Sequence, residues 1–237
     1  MSAAAALPHT TRIAGDLFDA PVVTLASPID ATLDDLHEVE RAAVARAVPK
    51  RQREFATGRR LAREGLVALG VAPVALPRNP DRTTAWPAGV VGSISHCDAL
   101  CIVALAPRGA IAGLGVDVEP DQPLDAALWS RICSPDEIER IVASRASAAE
   151  QGRAARLVFC AKEAFYKSVH ARVGRVLGFH EVAIQVDWGS GRFLAWLEGT
   201  PTGAPDGTLF EGRWARRAGF VLTGATLRSG EPEGTRR

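Results

Sequence analysis

Apolar residues follow two rhythms along the 237-residue chain. Recurrence every three or four positions marks one face of a helix, and alternation with polar residues marks a strand. Leu33, Leu36, Val39 and Val44 keep the first rhythm and predict one helix over Ala31–Val48, ended by Pro49. Phe55, Leu61, Leu66 and Leu69 predict a second from Arg51 to Leu69, capped by Gly70. Pro73–Pro87, rich in Pro, Asn and Asp, is a loop. The rhythm then shortens. Gly89–Cys97 reads as a short strand running into a turn, Cys101–Leu105 as a strand, Pro107–Gly109 as a turn and Gly113–Glu119 as a strand, together an antiparallel meander. Ser134 is a helix N-cap, with Pro135 at the first helical position and acids behind it. A longer helix spans Ala148–Val169, with Leu157, Ala161, Ala164, Phe165 and Val169 as its buried stripe. Strands follow at Glu181–Trp188, Arg192–Glu198, Leu209–Arg216 and Phe220–Leu227, with Gly189-Ser-Gly191 as a hairpin turn. Helices followed by a meander occur twice, without a sequence repeat, so the fold class is α+β.

Chemistry concentrates in two of these elements. On the strand Gly113-Leu-Gly-Val-Asp-Val-Glu119, Val116 and Val118 point one way and Asp117 and Glu119 the other. Neighbouring carboxylates repel unless a cation lies between them. Hard oxygen ligands so close together suit magnesium, which uses one or two carboxylates with phosphates and water. The helical stretch Phe159-Cys-Ala-Lys-Glu-Ala-Phe-Tyr-Lys167 adds a third carboxylate, Glu163, between Lys162 and Lys167. The ordinary alternative for Glu163 and Lys167, four residues apart, is an exposed helix ion pair.

Composition narrows the setting. A net charge of +1 gives no global field toward nucleic acid or anionic membrane, and no apolar run approaches the ~18 residues of a membrane helix. Met1–Thr10 lacks the basic start and apolar stretch of a signal peptide and reads as a disordered leader; the tail from Arg228 also reads as disordered. Cys97, Cys101, Cys133 and Cys160 show no paired metal spacing and read as buried thiols of a reducing cytoplasm. Basic residues are nearly all arginine: the lysines are Lys50, Lys162 and Lys167, and two of them fall within one short helical segment. No Gly-x-Ser-x-Gly elbow accompanies His96, which argues against a serine hydrolase.

Gly115-Val-Asp-Val-Glu119 fits the pattern Gly-(Ile/Val)-Asp-(Ile/Val)-Glu, and Phe159–Lys167 fits (Phe/Trp)-x-x-Lys-Glu-(Ala/Ser)-x-x-Lys. Both, in this order and separation, resemble the 4′-phosphopantetheinyl transferases of the surfactin and enterobactin-synthetase type. The resemblance reaches back to about residue 50 and covers well over half the chain. It implies a pseudo-twofold, two-lobe fold, each lobe an antiparallel sheet packed with helices: a lobe over 1–112, a second over 113–228 and a disordered tail over 229–237. The shorter acyl-carrier-protein synthases build this site between subunits, whereas this chain is long enough to build it alone, so a cytoplasmic monomer is expected. The implied reaction is Mg²⁺-dependent, or Mn²⁺-dependent, transfer of 4′-phosphopantetheine from coenzyme A to a serine of an apo acyl or peptidyl carrier protein, releasing adenosine 3′,5′-bisphosphate.

The resemblance also implies roles. Asp117, Glu119 and Glu163 hold the metal, and Glu163, directly or through water, takes the serine proton. Lys162 supports the phosphates and Lys167 does so from the next turn. Arg51 and Arg59, aligned on Glu54-Phe55, and Arg78 or Arg82 contact coenzyme A, with Arg53 and Arg60 next in line. Ser93, Ser95 and His96 resemble the Ser-(Ile/Val/Leu/Met)-(Ser/Thr)-His element that contacts its phosphate and ribose side. Two rival functions use the same residues: a magnesium-dependent hydrolase of a nucleotide pyrophosphate, and a non-catalytic carrier-binding homologue.

Overall fold

The structure is a computed structural model that describes residues 16–18, 21–198 and 210–229. The expected leader, Leu209 and the tail beyond Ser229 lie outside the described residues.

The first sheet has three antiparallel strands, β1 (Val23–Pro28), β2 (Val90–His96) and β3 (Leu100–Pro107), in the order β1-β3-β2. Helix α2 (Pro49–Ala68) covers one face of it with Leu61 and Leu66 against Cys101, Val103 and Leu105. Pro49 opens this helix rather than closing the one before it, because a first-turn residue needs no N–H partner. The single helix predicted over Ala31–Val48 is broken into a 3₁₀ turn (Leu33–Asp35), the short α1 (Glu38–Ala42) and turns. Two local restarts break it. The Thr32 N–H donates to Asp35 (2.8 Å) and the His37 N–H to Glu40 (2.9 Å). Glu40 is then drawn inward, where it accepts from the Arg63 guanidinium (2.8 and 2.9 Å) and the Leu76 N–H (2.7 Å). Val39, expected on the core face, is 51% exposed.

The expected meander stops at β3. That strand already has β1 on one edge and β2 on the other, so β4 (Ile111–Pro120) has no edge to join. It starts a second, five-stranded antiparallel sheet instead, ordered β4-β8-β7-β6-β5. A bulge between Ile111 and Gly113 adjusts its register against β8. The other strands are β5 (Val182–Asp187), β6 (Arg192–Leu197), β7 (Phe210–Arg217) and β8 (Phe220–Arg228). Helices α3 (Trp129–Ile132), α4 (Pro135–Ser144) and α5 (Ala148–Val173) complete this half. Ser134 caps α4 as expected, and it does so through reciprocal bonds with Glu137. Of the predicted α5 stripe, Ala161, Ala164, Phe165 and Val169 are buried in one cluster with Phe193, Ala195 and Phe210, and Leu157 is buried with Cys160 and Val221.

The fold is the expected α+β arrangement of two antiparallel sheets packed with helices. The sheets meet through a shared apolar layer: Ile102, Ala104 and Ala106 of β3 against Leu114, Val116 and Val118 of β4. The four cysteines are free, and Cys101, Cys133 and Cys160 are buried. Among the described residues no helix is long and apolar enough to cross a membrane.

Candidate active site

With Leu114, Val116 and Val118 turned into the shared layer, Gly113, Gly115, Asp117 and Glu119 occupy the opposite face of β4. Helix α5 crosses the two glycines at close range. A Cβ on Gly113 would stand 1.9 Å from the Ser168 carbonyl oxygen, and one on Gly115 would stand 1.8 Å from that of Ala164. Only glycine permits this approach. Beyond them the strand face turns acidic, and α5 presents Glu163 and Lys167 toward it.

Asp117 is buried. Its Oδ1 accepts from Ser95 Oγ (2.6 Å) and Lys167 Nζ (2.7 Å). Lys167 Nζ donates also to Ser95 Oγ (2.9 Å) and the Val116 carbonyl (3.1 Å), so one knot joins α5, β4 and β2. Burial opposes the Lys167 charge, but Asp117 and Glu163 outweigh it and hold the ammonium above its usual range. The other Asp117 oxygen, Oδ2, is buried without an N–H or O–H donor. Beside Asp117 the Cys160 thiol is raised by burial first and then by the Asp117 charge. Glu119 accepts from Arg156 Nη1 at 3.1 Å. Burial and then the Asp117 charge push Glu119 up to about 7, with Arg156 opposing. Glu163 is half-buried and raised by burial, which Lys167 partly offsets. Among the described residues it has neither hydrogen-bond nor ion-pair partner, so the helix ion pair is not formed.

These oxygens fit a hard divalent cation. Among the described residues no three His, Cys, Asp or Glu side chains are grouped closely enough to hold a metal ion. The fit rests instead on Asp117 Oδ2, which no N–H or O–H donor reaches, and on the mutual repulsion of the three acids, both of which a cation would relieve.

The two motif lysines separate. Lys162 is fully buried on the far side of α5, and Ile132 O, Glu137 Oε2 and Phe179 O engage its ammonium at 2.8–2.9 Å. An ammonium has three donors, so the expected phosphate contact by Lys162 is corrected: the group faces the interior of the second lobe.

The basic residues of the first lobe gather near the same junction. Arg51 donates to Glu54 Oε2 (3.4 Å) and closely contacts His96 Nε2. His96 is pushed below its usual range by burial, with Glu54 opposing and Arg51 and Lys167 adding to the burial effect. Arg59 is buried over the Phe55 ring, 4.3 Å from its centre, and donates to Thr84 Oγ1 (3.0 Å). Burial, then the charges of Arg63, Arg51 and Arg78, press Arg59 down to about 10, with Glu40 opposing. Such crowding of guanidinium groups favours an anion. Arg60 is engaged by Asp30 (2.6 Å) and Glu64 (2.9 Å). Arg78 is exposed and pairs through its backbone with Thr84.

A cleft of about 590 Å³ opens between the lobes. Arg82 rather than Arg78 lines it, with Trp86, Ile94, Val169, Leu177 and Phe179 as apolar walls and Glu163, Tyr166 and Lys167 along α5. His170 Nε2 and Asp81 Oδ2 meet across it at 3.1 Å. Sequence reasoning missed Arg156, although it stands seven residues before Glu163 and therefore on the same helix face.

Residues 39–106 match the family described as "4′-phosphopantetheinyl transferase N-terminal domain", and residues 113–215 match the "4′-phosphopantetheinyl transferase superfamily". The chain is 39% identical over 198 residues to the 4′-phosphopantetheinyl transferase Svp of Streptomyces mobaraensis, covering 83% of this chain and 79% of that protein. It is 35% identical to Npt of Nocardia iowensis (79% and 87% covered) and 34% identical to PptT of Mycobacterium tuberculosis (78% and 82% covered), both also named 4′-phosphopantetheinyl transferases.

Proposed function

Because the chain belongs to the 4′-phosphopantetheinyl transferase family, and so transfers 4′-phosphopantetheine to carrier proteins, we propose that coenzyme A is the donor and that it lies across the junction of the lobes. What supports this reading is the placement of Asp117 and Glu119 on the strand face that α5 crosses, where Glu119 feels the charges of Asp117 and Glu163 and Asp117 Oδ2 is buried without an N–H or O–H donor. Arg51 and Arg59, with His96, bind the adenosine-side phosphates, and Arg78 or Arg82 adds a further charge. The pantetheine arm runs into the apolar cleft past Trp86, Ile94 and Phe179.

In this arrangement the carrier serine attacks the pantetheine-bearing phosphorus. The bond to the bridging oxygen breaks, and adenosine 3′,5′-bisphosphate leaves. Glu163 takes the serine proton. An unpaired carboxylate whose proton affinity is raised by burial suits that role. Lys167, next to Asp117 and Ser95, keeps a positive charge where the pyrophosphate lies. Asp117, Glu119 and Glu163 would hold Mg²⁺ or Mn²⁺, which when bound neutralises charge on the leaving pyrophosphate oxygens. The proposed site draws all of these residues from one chain and needs no second copy to complete it.

Incubation with coenzyme A, Mg²⁺ and an apo carrier, followed by weighing the carrier, tests the reading. A carrier heavier by one phosphopantetheine supports it. Coenzyme A consumed with free phosphopantetheine released overturns it in favour of a hydrolase.

A further inference from the structure

We propose that Lys162 is a positioning residue: by holding the Phe179 carbonyl, its buried ammonium fixes the apolar cleft wall that aims the pantetheine arm at Glu163. The inference rests on the cleft reading above.

Glu137 accepts Lys162 Nζ (2.8 Å) and the Ser134 N–H (2.7 Å) on Oε2, and the Ile184 N–H (2.7 Å) on Oε1. The Ile132 carbonyl (2.9 Å) and the Phe179 carbonyl (2.8 Å) accept the other lysine hydrogens. One ion pair therefore fastens the end of α3, the start of α4, the start of β5 and the turn at Phe179 to the middle of α5. Well-packed apolar residues often fill such a space with no loss of stability. The ion pair adds direction, since each acceptor must stand where a lysine hydrogen points.

One of those acceptors lies on the cleft wall. Leu177 and Phe179 line the cavity, and Tyr166 Oη holds the adjoining Gly178 carbonyl at 3.0 Å. The Phe179 ring packs 5.7 Å from both Phe159 and Tyr166. Every one of these tethers starts on α5, the helix that carries Glu163 next to Lys162. The wall and the base are thus fixed to one rigid element, and distance between them is set by Lys162 and Tyr166.

Adenosine 3′,5′-bisphosphate lacks the pantetheine arm, so it separates a wall role from a phosphate role. Calorimetric titration of Lys162→Met should give a coenzyme A dissociation constant raised about tenfold, with that of the bisphosphate changed less than about twofold. Tyr166→Phe, which cuts the second tether and spares the ion pair, should move coenzyme A alone in the same direction by a smaller factor. Equal loss for both ligands, or no loss in a folded variant, overturns the proposal. Should Lys162→Met fail to fold, Tyr166→Phe decides by the same criterion. Wild-type protein that binds the bisphosphate as tightly as coenzyme A would overturn the cleft reading and this inference with it. Failure of the inference alone looks different: the wild type still discriminates, and the variants lose both ligands equally.

Discussion

Asp117 and Glu119 stand two residues apart on one strand face yet respond differently to removal. Asp117→Ala strips Lys167 of its counter-charge and should cost about 1–3 kcal/mol in urea unfolding, besides abolishing transfer. A variant as stable as wild type would mean that the knot at β2, β4 and α5 is not structural. Glu119 rises from its ordinary 4.5 to about 7 on folding. The folded state then holds more protons than the unfolded one across that window, so stability is full below about 4.5 and is lost as pH rises through about 7. Metal-free wild type should therefore weaken relative to Glu119→Gln over this range, and parallel pH–stability curves would refute the shift. Glu163→Gln should lower kcat by about 10²–10⁴-fold with an unchanged melting temperature, because no partner is lost; near-normal turnover would remove Glu163 as base. Arg51→Ala should raise KM for coenzyme A by the equivalent of about 1.5–3 kcal/mol. It should also erode the preference over dephospho-coenzyme A, and undiminished discrimination would place the 3′-phosphate elsewhere. At this scale the strand alternation was legible: Asp117 and Glu119 share the face of β4 that α5 crosses, and Lys167 reaches Asp117 from that helix. Lys162 was misread although the spacing held the answer. It lies about 140° around the helix from Lys167 and one turn after Val158, on the apolar side.

At the scale of elements, α5 and β4 are laid against each other by Gly113 and Gly115, and their separation sets where Glu163 stands relative to Asp117. Gly115→Ala places a methyl 1.8 Å from a helix carbonyl and must push α5 outward. It should cost about 1–3 kcal/mol or more in stability and depress transfer with it; a fully active, equally stable variant would show that α5 yields without displacing Glu163. Most strands after β4 were legible to within a residue or two, because hairpins declare themselves locally through alternation and turn glycines. In the first half α2, β2 and β3 were read nearly as well, but the broken helix and β1 were not. That helix is broken by the local restarts at Thr32 and His37, and the inward turn of Glu40 is then held by Arg63 and Leu76, far along the chain. Strand β1 went unread although Val22, Val23 and Thr24 form a β-branched run between Pro21 and Pro28. That one omission also misplaced β4, since β1 is what occupies the free edge of β3.

Across the whole molecule, the lobes share rather than abut. The layer of Ile102, Ala104 and Ala106 against Leu114, Val116 and Val118 belongs to both sheets, and Ser93 Oγ accepts the Val116 N–H at 3.1 Å. Heating should therefore give one transition by circular dichroism and by tryptophan fluorescence. Fragments divided at residue 112 should expose that layer and fail to fold; a fragment with a cooperative melt of its own would refute the sharing. The α+β class was legible from the order of elements, but the sharing was not, because apolar residues on β3 look alike whether they meet a helix or another sheet. The bulge between Ile111 and Gly113 carries this division in its parity. Each odd position that follows on β4 answers to α5 and the acidic face beside it, and each even one to the layer between the lobes. Saturation mutagenesis of 113–119 should thus print two interleaved tolerance profiles. One accepts any apolar residue of matching volume and rejects charge; the other rejects enlargement at 113 and 115 and neutralisation at 117 and 119.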